Sequence, residues 1–593
     1  VPGRRRVGPT TRPGATRLPR EEDTMNNNYV VGLDFGTLSG RAVVVRANDG
    51  AEMGAAVHEY PHGVMDRTLS AADGRKLPPD FALQDPVDYL ETLETIVRGA
   101  VKDAGVDPDH IVGIGLDVTS ATVVAATKDG TPLCQLPEFR NEPHAWVKLW
   151  KHHGAQDQAD RIVKLAQVRR EPWLTRYGGI LSSEMLMPKV LETLERAPQV
   201  YRATDVFCNV LDWLTWRLTG VLAFSTGDSG YKRMYQDGKY PSRDYLMNLN
   251  PEFADVFAEK MNAPVLPLGA RVGGLTPEFS ERLGLPVGTT VASGNIDAHV
   301  TAAAVQAVEN GQMTAIMGTS ACYVVPGPQL KEVPGMFGVV DGGIVDGSWG
   351  FEAGQTAVGD IFAWFIDNCV PGSYFDEADH RGIGVYDLLT EKCARQEVGA
   401  HGLIALDWHN GNRSVLADAN LSGMILGQTL TTTPEDQYRA LLESTAFGAR
   451  TIIESFRDSG VEINELVVAG GLTKNTFLMQ LFCDICRVPL SVGTIKQPGA
   501  HGSAVFAAVA ADLYPDVKAA SAAMGAKKAG VYQIDEQRAE QYDALYVEYA
   551  RLHDYFGRGG NQVMHRLKEI RRQAHLRARE STETSNGGNG AHL

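Results

Sequence analysis

Short apolar runs that stop on glycine or aspartate recur along the chain: YVVGLDFG (29–36), IVGIGLDVTS (111–120), TTVASGNIDAH (289–299), MTAIMGTS (313–320) and ELVVAGG (465–471). Runs this short, rich in β-formers and bounded by turn residues, predict strands. Between them apolar residues recur at helical spacing, as in Pro86–Ala104 and Glu435–Arg457. Strands mixed with helices in this way predict α/β layers rather than separate all-α and all-β blocks. The pattern restarts near residue 287, where GLPVGTTVASGNIDAH follows a loop-rich stretch. A chain of 593 residues exceeds what one core holds, so the restart is read as the boundary between domains at 29–286 and 287–575. Near the end, Tyr542, Leu545, Tyr549, Leu552 and Phe556 step by three and four residues. That stripe predicts a helix packed on its own domain in preference to one held out for a partner.

Two of the strand ends carry the first sign of chemistry. DFGT (Asp34–Thr37) and MGTS (Met317–Ser320) each follow a strand, one in each half, and the first leads into further β-formers rather than a helix. Two such hairpin corners facing one another would grip a single polyphosphate. Gly36 and Gly318 would let the backbone come close and expose N–H donors, and the Thr37 and Thr319 hydroxyls would add more. Asp34 beside such a corner would repel phosphate unless a cation lay between, and Mg²⁺ held through water by one or two carboxylates answers that need. A plain turn aspartate is the alternative. Arg41 would reach a phosphate oxygen or form a surface salt bridge. Asp297, at a strand end running into a helix start, is the candidate general base, set against a simple helix N-cap. In LVVAGGLTKN (466–475) the Gly470-Gly471 break leaves room for a flat purine. The segment matches neither GxGxxG nor GxxxxGK[ST], and a tight β–α turn is the alternative.

Composition narrows the partners. A formal charge of −16 argues against a broad nucleic-acid surface, and no apolar run approaches the roughly 18 residues of a membrane span. Seven scattered cysteines suit a reducing cytosol, so a cytoplasmic protein is expected. Cys483 and Cys486 have redox-motif spacing, but Leu478, Leu481, Phe482 and Ile485 around them fall at helical spacing, which predicts inert buried thiols. Residues 1–24, rich in Arg, Pro and Gly, read as a disordered extension or as a start set too far upstream of Met25. The last residues, STETSNGGNGAHL, also read as disordered. The expected flanks are therefore 1–28 and 576–593.

Taken together these residues resemble the FGGY family of carbohydrate kinases, from about Tyr29 to beyond Ala510. The resemblance rests on DFGT with its following arginine, GNIDAH, VVAGGLTKN and NLSGMILGQTLTTTPEDQYRALLESTAFGAR (420–450). It implies two actin-like (ribonuclease H-like) ATPase domains flanking an interdomain cleft, ATP and Mg²⁺ as cofactors, and a small sugar as substrate. HEYPHGVMD (58–66), LPPDFALQDPVDYL (77–90), DSGYKRMY (228–235), FEAGQTAVGD (351–360) and ALDWHNGNRS (405–414) are similar to the branch of the family that phosphorylates L-ribulose at its 5-hydroxyl. That sugar is the expected substrate, with D-ribulose, xylulose or ribitol as runners-up. An actin-like filament protein or a chaperone-type ATPase is the non-enzyme alternative. By the same resemblance Ser120, Ala121, Lys232, Asp297 and Glu352 line the sugar pocket. Gly36, Thr37, Arg41, Gly318, Thr319, Gln355, Gly470, Gly471 and Asn475 would hold ATP, and Asp34 with Asp297 the metal. Without the resemblance, Lys232 and Glu352 read as solvated charges. No nucleic-acid or membrane partner is expected, and a homodimer is compatible with all of this.

Overall fold

The computed structural model of the chain describes residues 28–587, with side chains to Arg577. The expected N-terminal extension lies, but for residue 28, outside the described residues. The last helix, Val563–Gly587, runs past residue 576, where the sequence places a disordered tail. No helix among the described residues is long and apolar enough to cross a membrane.

Two seven-stranded sheets organise the chain. In the first, Arg271–Gly274, Thr290–Ala292, Ile111–Val118, Tyr29–Phe35, Ser39–Arg46 and Glu52–Glu59 lie side by side, and Asn295–Ile296 pairs further along Ile111–Val118. In the second the order is Gly338–Asp341, Trp349–Gln355, Ala321–Gly327, Gln312–Met317, Glu465–Ala469, Leu490–Gly493 and Lys527–Tyr532. Both follow one plan. An antiparallel hairpin, 29–35 with 39–46 or 312–317 with 321–327, sends its first strand parallel to a later one, 111–118 or 465–469. In each half the hairpin turn therefore lies beside the carboxyl end of that parallel neighbour, the edge where open α/β sheets bind ligands. These central strands are near-continuous apolar runs, with Val30, Val31, Leu33 and Phe35 fully buried, because helices cover both faces.

One of those helices belongs to the other half of the sequence. Pro498–Ala510, an alanine- and glycine-rich helix, packs on the first sheet. A Cβ on Gly32 would sit 1.7 Å from the Ala500 carbonyl oxygen, and one on Gly115 1.9 Å from that of Ser503. Glycines in the middle of these strands are thus required by backbone-to-backbone approach. The helix Asp297–Ala304 packs against Pro498–Ala510, and one apolar cluster takes in both helices with Val30, Val43 and Val45.

Strand pairing also corrects the boundary read at residue 287. Thr290–Ala292 runs parallel to Ile111–Val118 in the first sheet, so the restart of the strand pattern marks the last strands of the first domain, not the first of the second. Two smaller expectations hold. Glu536–Gly557 is a helix whose Tyr542 and Tyr549 are buried in the second domain's core, with Leu545, Leu552 and Phe556 packed against it. Cys483 and Cys486 are buried and unpaired on the helix Thr476–Cys486, where burial pushes both thiols up to about 12.

Candidate active site

The strands Tyr29–Phe35 and Ile111–Val118 both carry Gly-Leu-Asp just before their last residue, and their register sets Gly32 beside Gly115, Leu33 beside Leu116 and Asp34 beside Asp117. Two carboxylates thus emerge side by side at the sheet's edge. Asn295–Ile296 continues along Asp117 and Val118, which delivers Asp297, at the start of its helix, to the same edge. Asp297 is not the N-cap; its Oδ1 accepts the N–H of the adjacent Ala298 at 2.7 Å. Burial and the negative charge of Asp34 push its carboxyl up to about 7, against the Ala298 N–H and Lys232. Burial also raises Asp34, partly offset by Arg41. Asp117 is raised well above the carboxylate range by burial and by Asp34. Its Oδ2 accepts from Ser503 Oγ at 2.6 Å, while Oδ1 is buried without a partner. Asp117 is the residue sequence reasoning missed. The signal was the repeated Gly-Leu-Asp, visible only once the two strands are put in register.

Hard oxygen donors crowded against one another suit a cation such as Mg²⁺. The three acids do not converge tightly enough to ligate one ion directly. Among the described residues only His62, Asp85 and Asp88 bring such atoms within 4.8 Å of one another. A cation held through water fits the wider spacing of Asp34, Asp117 and Asp297. The His62 group has a simpler explanation, since Asp85 caps the helix Pro86–Ala104 and Asp88 accepts both the backbone and ring N–H of His62.

The two hairpin corners are present, with one correction. The Gly36 N–H donates to Ser39 O at 3.0 Å and the Gly318 N–H to Ser320 O at 2.9 Å, so neither is a free phosphate donor. Gly318 contributes by leaving space, since a Cβ there would meet nothing within 4 Å, whereas one on Gly36 would meet Ser39 O at 3.4 Å. Thr37 is fixed by Gln84, which donates to its carbonyl, and by Trp150, which donates to its hydroxyl oxygen at 3.1 Å and leaves the hydroxyl proton free. Thr319 is exposed, and its carbonyl anchors the N–H of Val358 at the start of the helix Gly359–Cys369. Arg41 bonds Asp34 at 2.9 Å.

In the second half, the turn after Glu465–Ala469 packs directly on the hairpin corner at Met317. Gly470 has φ +102°, and a Cβ there would lie 2.4 Å from the Met317 carbonyl oxygen. At Gly471 a Cβ would meet only open space. Asn475 caps the helix Thr476–Cys486 and ties it to Thr390 at 3.2 Å. Gln355 is placed elsewhere. Its amide is buried, donates to Asp407 and Thr445 O, and accepts from Tyr323. With every polar atom paired inside the domain, it is withdrawn from the nucleotide-binding set.

The end of Ile111–Val118 in the first half corresponds to the Gly470-Gly471 turn in the second, and it carries Ser120 and Ala121. Ala121 adopts φ +45°, and its carbonyl accepts from Lys189 Nζ at 2.7 Å. Lys189 is fully buried, and burial lowers its ammonium to about 7; nothing in its local sequence marks it. A buried ion pair joins the two domains. Lys232, ending the helix Thr226–Lys232, reaches Glu352 on the strand Trp349–Gln355 at 2.9 and 3.1 Å. Their side chains are 4% and 6% exposed, so neither is a solvated charge. Burial lifts Glu352, but Lys232, His299 and Arg413 outweigh it and leave the carboxyl below its ordinary value.

Two domains built on one hairpin-plus-parallel-strand plan, with a cavity lined from both, make up an actin-like ATPase fold. Residues 29–304 match the N-terminal domain and residues 313–511 the C-terminal domain of the FGGY family of carbohydrate kinases, and the chain belongs to that family. It is a carbohydrate kinase. It is 54% identical over 549 residues to a ribulokinase of Mycolicibacterium smegmatis, covering 93% of this chain and 97% of the relative. To a ribulokinase of Halalkalibacterium halodurans it is 45% identical over 557 residues, covering 93% and 99%. Among solved structures, a ligand-bound xylulose kinase of Lactobacillus acidophilus superposes with a TM-score of 0.72 at 18% identity, covering 89% of this chain and 98% of that one. A Plasmodium falciparum glycerol kinase with ADP gives 0.68 at 16%, covering 88% and 98%. At such identities the structural likeness establishes the fold.

Proposed function

We propose that this kinase transfers the γ-phosphoryl group of ATP to the 5-hydroxyl of L-ribulose. The observation that carries the reading is the buried Lys232–Glu352 pair, whose charges act on Asp297, in a chain whose curated relatives are ribulokinases over nearly their whole length. A charged pair held out of water presents both a strong donor and a strong acceptor to sugar hydroxyls and a ketose carbonyl. Asp297 accepts the proton of the 5-hydroxyl, and a carboxyl poised near 7 is matched to that task. Thr37 and Thr319, one from each domain, donate to the phosphates, with Arg41 as a positive group beside them. Gly470 and Gly471 leave the purine a bare floor, and Asn475 fixes the turn beneath it. Asp34 and Asp297 would hold Mg²⁺, which when bound neutralises charge on the transferring group. Closure of the two domains excludes the water that would otherwise intercept it. All seven cysteines are unpaired, which supports a cytoplasmic setting.

A coupled ADP-release assay over L-ribulose, D-ribulose, D-xylulose, L-arabinose and glycerol tests the substrate. L-Ribulose is expected to give the highest kcat/KM, and faster turnover of glycerol than of either ribulose would overturn the choice. The purine floor has its own test. Gly471→Val adds bulk where the protein leaves open space, so melting temperature is expected to hold while KM for ATP rises about tenfold or more, in line with a lost stacking surface. An unchanged KM for ATP would remove Gly471 from the nucleotide site.

A further inference from the structure

Beyond Lys232 and Glu352 the cleft opens into a cavity of about 560 Å³, lined by Asp80, His153 and Glu184 of the first domain and by Phe337, Asn412 and Arg413 of the second. Arg413 Nη2 reaches Glu184 Oε2 at 2.5 Å across that cavity. Its guanidinium carbon lies 4.5 Å from the centre of the Phe337 ring. Its stem crosses the strand that carries Glu352: a Cβ on Gly354 would sit 3.1 Å from Arg413 Cδ and 3.4 Å from Nη1. Four charges therefore alternate in sign, and each of the two ion pairs joins the domains: Lys232 of the first with Glu352 of the second, and Arg413 of the second with Glu184 of the first. Arg413 stands beyond ion-pair distance of Glu352, yet its charge helps hold that carboxyl ionised, and Lys232 does the same for Glu184.

Building on the kinase reading above, we propose that Arg413 is a positioning residue of the sugar pocket, setting a second cation against the strand that bears Glu352 while it ties the second domain to Glu184 of the first. A simple strap between domains would need only some opposite-charge pair at 184 and 413. The second duty needs a cation at 413 specifically, because a carboxylate there would face Glu352. Nucleotide binding is not part of either duty, since the Gly470-Gly471 turn and the Gly318 corner touch neither residue.

Calorimetric titration of the purified enzyme with L-ribulose, and separately with ADP, reads the two ligands apart from turnover. Arg413→Met is expected to weaken L-ribulose binding about tenfold or more, as for truncation of one partner in a desolvated charge pair, with ADP affinity within about twofold of wild type. The exchange Glu184→Arg with Arg413→Glu restores a pair across the cleft but is expected to bind the sugar no better than Arg413→Met. Arg413→Lys keeps the charge without the fork and is expected to fall between. It stands in if Arg413→Met proves unfolded by its melting curve. Sugar affinity within about threefold of wild type in Arg413→Met, or its recovery in the exchanged variant, would overturn the proposal. A wild-type enzyme that binds no L-ribulose at all would instead overturn the substrate reading on which it rests.

Discussion

Asp297→Asn is expected to lower turnover about 10²–10⁴-fold, the usual contribution of a positioned general base, while ADP still binds and the melting temperature holds. Asparagine keeps the shape and can still accept the Ala298 N–H through its amide oxygen, so the local helix start survives. It cannot take the sugar proton. The loss should appear in kcat with KM for both substrates little changed, the pattern of an interaction made only in the transition state. Stability should, if anything, rise, because a carboxyl crowded by Asp34 and Glu352 is replaced by a neutral amide. Steady-state kinetics and a thermal melt check both halves of this expectation. Near-normal turnover would remove Asp297 from the base role.

Lys232→Met is expected to be the most damaging single change to stability in the cleft. It strands Glu352 as a buried carboxylate without its partner, and breaking a buried pair from one side costs about 3–5 kcal/mol. Adding Glu352→Met should recover most of that stability, since replacing both charges by apolar groups is often neutral. Sugar binding should not recover, because the methionine pair offers hydroxyls neither donor nor acceptor. Stability and affinity thus part company in the double variant, and a chemical denaturation curve beside a sugar titration would display the split. Recovery of both together would mean the pair serves the fold alone.

Much of this was legible in the sequence for identifiable reasons. Strands buried on both faces give unbroken apolar runs, so the central strands of both sheets could be seen at once, and their glycine and aspartate ends marked the ligand edge. The stripe from Tyr542 to Phe556 was equally plain, because helical packing leaves a local period. What escaped depends on partners distant in the chain. The domain limit at 287 was misplaced because a restart in strand pattern does not say which sheet the next strand joins; Thr290–Ala292 joins the earlier one. Gln355 looked available because nothing local shows that Asp407, Thr445 and Tyr323 enclose it. Gly36 and Gly318 were credited with N–H groups that their own turns consume. Asp117, Lys189 and Arg413 act through contacts to Asp34, Ala121 and Glu184, each set by the fold and by no spacing in the chain. Lys232 and Glu352, 120 residues apart, were found only through likeness to a family.

The glycines show why the two halves work as one machine. Gly32 and Gly115 exist to admit the helix Pro498–Ala510 onto the first sheet, and the same helix brings Ser503 to Asp117 and Gly499 to within 3.0 Å (as a Cβ) of Asp34 Oδ2. Asp34 and Asp117 are thereby braced by the C-terminal half of the chain.

The most direct test is a crystal structure with L-ribulose and a non-hydrolysable ATP analogue bound together with Mg²⁺. The account predicts the triphosphate lodged between Gly36–Thr37 and Gly318–Thr319, the purine over Gly471, and the sugar's 5-oxygen between the Asp297 carboxylate and the γ-phosphorus. A nucleotide bound outside the cleft, or a different sugar oxygen presented to Asp297, would contradict it.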